Sequence, residues 1–145
     1  MVNEIDLLMS GHQYKKLFEK KYEDMMKKYD LRKVEIEILY YIANCAEHDT
    51  AKDIASLQYI SKAYISNSIE RLTGKKYITV AEDGMDRRYS HIQITKTALP
   101  VIEEIKSIRE EILSIIFKGI SREDMDTMLC LSGQMVRNMS DELKK

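Results

Sequence analysis

Ser61-Lys62-Ala63-Tyr64-Ile65-Ser66-Asn67-Ser68-Ile69-Glu70-Arg71-Leu72 is the stretch on which the fold turns. Ile65, Ile69 and Leu72 are spaced four and three apart, so they share one face of a helix. Ser61 stands where an N-cap is needed, and its hydroxyl can accept a free backbone N–H of the first turn. With that face turned inward, Tyr64, Asn67, Ser68 and Arg71 point elsewhere. The spacing predicts a helix over residues 61–75 with an apolar inner face and a polar outer one.

Downstream, Gly74 lies near the helix end and the pattern changes to period two. Ile78 and Val80 share one face, Ile92 and Ile94 another, and Asp83-Gly84-Met85-Asp86-Arg87-Arg88 lies between them. That is a β-hairpin with a charged tip. Upstream, Thr50-Ala51-Lys52-Asp53 reads as a capping box opening a short helix that turns Ile54, Ala55 and Leu57 inward. Before it, residues 32–47 carry a helical stripe of Val34, Ile38, Tyr41, Ile42 and Cys45. Residues 4–28 form a first helix with Phe18, Tyr22, Met25 and Tyr29 on one face. From about residue 96 the helical period returns, in Val101, Ile105, Ile108, Ile112 and Ile115, a heptad-like seam. Gly119 breaks it. Ser121-Arg122-Glu123-Asp124 opens a last helix bearing Met125, Met128, Leu129, Leu131, Met135 and Met139. The expected fold is mainly α with a small β-hairpin wing: a winged helix-turn-helix over residues 31–97, flanked by long helical dimerisation segments, 1–30 and 98–145, within a single domain, 1–145.

The bulk properties agree. The chain has 145 residues, enough for one self-sufficient core. It is 44% apolar and 32% charged, a globular composition. There are 23 Lys+Arg against 24 Asp+Glu, so any affinity for a polyanion depends on where the charges lie. Residues 1–30 are neutral, 31–60 carry −2, 61–96 carry +3 and 97–145 carry −2. The basic excess thus falls on the capped helix and the hairpin. Two Cys are too few for a disulfide scaffold, no targeting segment or membrane span is visible, and the cytoplasm is the expected compartment.

A B-DNA major groove, roughly 12 Å wide, admits one helix. On the outer face of the 61–75 helix, Ser61, Ser66 and Asn67 can donate to phosphates or base edges. Lys62 and Arg71 can pair with phosphates or guanines, and Ala63 and Tyr64 can touch a thymine methyl. Arg87 and Arg88 at the hairpin tip can enter the adjacent minor groove, whose negative potential attracts guanidinium groups. A capped helix beside a short one is also ordinary packing. The arginine-tipped hairpin in the basic segment is what favours double-stranded DNA as a partner over a protein-interaction module that lacks specific DNA binding.

The chain resembles the MarR family of bacterial transcription regulators. Leu31, Leu39 and Ile42, Ala51-Lys52-Asp53-Ile54-Ala55, the run from Ser61 to Leu72, Tyr77-Ile78, Asp86-Arg87-Arg88 and Ile92-Gln93-Ile94-Thr95 carry the resemblance. It implies a recognition helix beginning at Ser61, a wing arginine at Arg88 oriented by Asp86, and a second phosphate contact at Arg87. The family commonly has Gly where Lys76 stands. A left-handed turn there costs a non-Gly residue about 1 kcal/mol, so the chain is expected to turn at Gly74. Ala98 likewise stands where the family has Gly after the Thr.

The resemblance also implies a homodimeric repressor reading a pseudo-palindromic operator, with recognition helices about 34 Å apart. The isoleucine seam at 101–115 and the aromatic and methionine face at 18–29 offer apolar surface for it. Family members often release DNA on binding small aromatic or phenolic acids. Tyr14, Tyr22, Tyr40 and Tyr41 could line such an effector pocket between the first, second and long penultimate helices, or belong to the core. Cys45 and Cys130 read as buried, inert thiols. His12, His48 and His91 lack metal-ligand spacing, so no metal and no cofactor is expected. No nucleophile–base pair or phosphate-binding glycine loop points to an enzyme.

Overall fold

The structure, a computed structural model, describes residues 4–44, 54, 61–82, 85 and 90–145, without the side chains of residues 4–9, 62, 82 and 90. In chain order the described elements are α1 (Glu4–Tyr29), α2 (Lys33–Asn44), α3 (Lys62–Gly74), β1 (Ile78–Glu82), β2 (Ser90–Ile94), a 3-10 turn (Lys96–Ala98), α4 (Leu99–Ile116) and α5 (Arg122–Leu143). The Thr50–Asp53 capping box, Cys45 and His48 lie outside the described residues, and of the short helix only Ile54, helical and buried, is described. The chain divides into two compact units, Met1–Glu110 and Glu111–Lys145.

In the first unit one core joins every element. Tyr22 and Met25 enter it from α1, Ile65 and Leu72 from α3, Ile78 and Ile92 from the strands, and Val101 and Ile105 from α4. α2 contributes Ile38, Tyr41 and Ile42 as its stripe predicts, and also Ile36 and Leu39. It packs against α1, α3 and β2 at once, so more than one of its faces is covered. Phe18 and Tyr29 pack on the same core. The aromatic face of α1 and most of the isoleucine seam are therefore used within the protomer, not left over for a partner.

The hairpin is antiparallel, with Ile78 opposite Ile94 and Val80 opposite Ile92. Ile78 and Ile92 are buried, while Val80, opposite Ile92, is exposed. Entry into β1 differs from expectation. Gly74 remains helical, and the left-handed residue is Lys76, at φ 64°. Backbone bonds from Lys75, Lys76 and Tyr77 to Arg71, Thr73 and Leu72 close the helix. Thr95 then secures the turn: its hydroxyl donates to the Lys76 carbonyl at 2.6 Å and its N–H to the Tyr77 carbonyl at 3.1 Å. These bonds oppose the strain that glycine would have avoided.

In the second unit Gly119 makes the left-handed turn, at φ 79°, that ends the α4 segment. The Ser121 hydroxyl accepts the Asp124 N–H at 3.1 Å and caps α5. No residue of α5 is buried. Met128, Leu129, Leu131, Met135, Val136, Met139 and Leu143 are all exposed. At 100° per residue they fall within an arc of about 160°, one apolar face. Cys130 lies on the opposite side of the helix and is a free, exposed thiol, which corrects the expectation that it is buried.

Candidate nucleic-acid interface

Ser61 is the N-cap of α3: its side chain accepts the Tyr64 N–H at 3.3 Å. The inner face is the expected one, with Ile65 and Leu72 buried and Ile69 packed on the core. Ser68 joins that buried side, because a small hydroxyl residue fits between Ile65 and Leu72 without a large polar group to satisfy. Ser61, Ala63, Tyr64, Ser66, Asn67 and Glu70 are exposed, so the helix presents hydroxyl, amide and aromatic groups along one edge. The Lys62 side chain and the wing-tip residues Asp86, Arg87 and Arg88 lie outside the described residues.

Arg71 is placed differently from its neighbours. Its Nε donates to the Glu35 carboxylate at 3.1 Å and its Nη2 to the Asp30 carbonyl at 3.2 Å. Glu35 is fully buried. Sequence reading missed Glu35 and Asp30, because a lone acid in the first turn of a helix normally indicates solvation or dipole pairing. The one signal was that Glu35 sits between Val34 and Ile36, next to the buried stripe.

A cleft of about 760 Å³ opens beside the helix, lined from α1, α2, α3 and α4. Tyr14, Lys15, Phe18 and Glu19 line it from α1, Lys33, Val34 and Glu37 from α2, Tyr64 from α3 and Arg109 from α4. The Arg109 guanidinium lies 3.9 Å from the Tyr40 ring centroid and 5.4 Å from that of Phe18, a double cation–π arrangement. It also pairs with Glu37 at 3.4 Å. Tyr14 lines the cleft, Tyr40 lies behind Arg109, and Tyr22 and Tyr41 are in the core. Burial pushes the Tyr22 phenol above its usual range, and the neighbouring Arg109 charge opposes this only in part, so the phenol stays protonated. Arg109 and Glu37, which organise this cleft, lie 72 positions apart, and no local pattern could pair them.

Residues 29–88 match the sequence profile of the MarR family. Over that stretch, less than half of the chain, the sequence is similar to the MarR family. Among solved structures, a MarR protein from Peptoclostridium difficile superimposes with a TM-score of 0.82 at 19% identity, covering 98% of this chain and 94% of the other. MepR from S. aureus, in a DNA complex, gives 0.75 at 21% identity over 95% and 98%. BpsR from Bordetella bronchiseptica, whose DNA binding is regulated by 6-hydroxynicotinic acid, gives 0.72 at 23% identity over 96% and 94%. These likenesses are likenesses of fold. The matched stretch spans α2, α3 and β1. Among the described residues, no helix is long and apolar enough to cross a membrane.

Proposed function

We propose that this protein is a MarR-family transcription regulator, a repressor that binds a pseudo-palindromic operator as a homodimer and is released by a small aromatic acid. The observation that carries the reading is the capped helix α3. Its inner face is anchored in the core while Ser61, Ala63, Tyr64, Ser66 and Asn67 stand in solvent, which is how a groove-reading helix must be mounted. Lys62 and the wing residues Arg87 and Arg88, with Asp86 as orienting partner, supply the charge the described outer face lacks.

The apolar face of α5 supports the dimer, since a surface of seven large apolar side chains is costly to leave in water. Two such protomers set recognition helices about 34 Å apart. The cleft beside Tyr64 supports the effector. Lys15 suits a carboxylate, Tyr14 and Phe18 suit a ring, and an occupant would touch α3 directly through Tyr64. The relative regulated by a hydroxylated aromatic acid makes that class the first to try.

The test is Arg88→Ala in an electrophoretic shift assay, on a duplex that the wild-type protein selects from a randomised library. Binding weakens by about 1–3 kcal/mol with the circular dichroism spectrum unchanged. Unaltered affinity rejects the wing contact. A protein-interaction module would select no duplex at all.

A further inference from the structure

We propose that Arg71 is a positioning residue: it fastens α3 to the α1–α2 corner and neutralises no phosphate. The inference rests on the DNA-binding reading above and concerns how the recognition helix is aimed.

The corner is built for this contact. α1 ends at Tyr29 and α2 begins at Lys33, with Asp30 in the left-handed region at φ 51° between them. Asp tolerates that conformation better than most residues. The turn aims two oxygens of Asp30 at α3: its carbonyl accepts Arg71 Nη2 at 3.2 Å, and its Oδ2 accepts Lys75 Nζ at 3.3 Å. Lys75 also donates to the Tyr29 carbonyl at 3.3 Å. These carbonyls belong to the C-terminal end of α1, where the helix dipole favours cations. Behind them lies Glu35, with no exposed surface, whose Oε1 accepts the Arg32 N–H at 2.8 Å and whose Oε2 accepts Arg71 Nε at 3.1 Å. One carboxylate therefore joins the start of α2 to the last turns of α3.

This geometry decides between two roles for Arg71. To reach a phosphate, the guanidinium would have to abandon Glu35 and leave a buried carboxylate without its counter-charge, among the more destabilising changes a fold can suffer. A planar fork holding Nε and Nη2 on different partners also cannot turn to a third without breaking both bonds. Arg71 and Lys75 both grip the C-terminal half of α3. The N-terminal half, with Ser66 and Asn67 at its margin, remains free to enter a groove. The angle of that free half is set by how the other half is held.

The experiment uses full-length wild type, Arg71→Ala, Arg71→Lys, Glu35→Gln and the double variant Glu35→Gln/Arg71→Ala. The probe is a duplex selected by the wild type from a randomised library, titrated at several salt concentrations. Each single variant binds about tenfold more weakly, because each breaks the same clasp. The double variant is no more than about twofold weaker than Arg71→Ala. The slope of log affinity against log salt is unchanged, whereas a lost phosphate contact lowers it by about 0.9. Glu35→Gln decides by its sign: if Arg71 served DNA, freeing its guanidinium would preserve or tighten binding, and that result overturns the proposal. A reduced slope in Arg71→Ala overturns it as well. If Arg71→Ala does not fold, Lys75→Ala replaces it, with a smaller loss at unchanged slope expected and a lowered slope counting against the clasp. Should the wild type select no duplex, the DNA-binding reading falls, and the clasp is judged on the free protein. There, Glu35→Gln and Arg71→Lys speed hydrogen exchange of α3 amides about tenfold, and unchanged exchange in both sinks it.

Discussion

Lys76 carries a backbone conformation that suits glycine, and Thr95 holds it there through two hydrogen bonds. Lys76→Gly should therefore stabilise the protein by about 0.5–1 kcal/mol, the steric gain less the extra entropy of the unfolded chain. Urea denaturation would show it, and a destabilised variant would mean the lysine side chain contributes more than its strain removes. Replacing Thr95 by Val should destabilise by about 1–2 kcal/mol, because it removes the bond that opposes this strain. The same position shows why the turn was read wrongly from sequence. Glycine's preference for positive φ pointed to Gly74, but the hydrogen-bonding requirements of the helix end decide which residue turns, and those depend on Thr95, 19 positions away. Arg71 has a partner that no local pattern could reveal. Sequence showed only a polar residue on a polar helix, and it is the fold that brings Glu35, 36 positions away, against it.

At the scale of elements, periodicity carried most of the fold. The inner face of α3, the two caps at Ser61 and Ser121, and the pairing of Ile78–Val80 with Ile92–Ile94 could all be read locally, because each depends on spacing within a few residues. What was not legible was which apolar face meets which. The seam of α4 looked like a surface for a partner, yet Val101, Ile105 and Ile112 are buried within one chain. The caps give a direct expectation: Ser121→Ala lowers stability by about 1 kcal/mol without changing DNA affinity. A change in affinity alone would contradict that assignment. α1 and α4 are also tied by Lys28 and Glu104, 2.6 Å apart. The Lys28 ammonium, by its hydrogen bond, holds the Glu104 carboxyl below its usual range. The carboxylate's contribution is thus present above the ordinary carboxylate range and lost as pH falls through the folded-state value. Lys28, raised by Glu104, loses its share only as pH rises through the lysine range. Lys28 is exposed and Glu104 partly so, which makes the effect small and salt-sensitive. Glu104→Gln should lose less stability than wild type between pH 7 and pH 3, measured by urea midpoints. Equal losses would remove the pair from the account.

For the whole molecule, the decisive feature is surface that one protomer leaves uncovered. The apolar arc of α5 predicts a dimer in sedimentation at micromolar concentration, and Leu131→Glu with Val136→Glu should give a monomer with its helical content intact. A wild-type monomer would defeat the proposed architecture, since one winged domain reads too few base pairs to define an operator. The measurement that bears most directly on the whole reading is titration of the wild-type protein with its selected duplex from 50 to 200 mM salt, where affinity should fall by about a thousandfold or more as phosphate counterions are released and recaptured. Failure to retain any duplex at the lowest salt, or an affinity indifferent to salt, would contradict it.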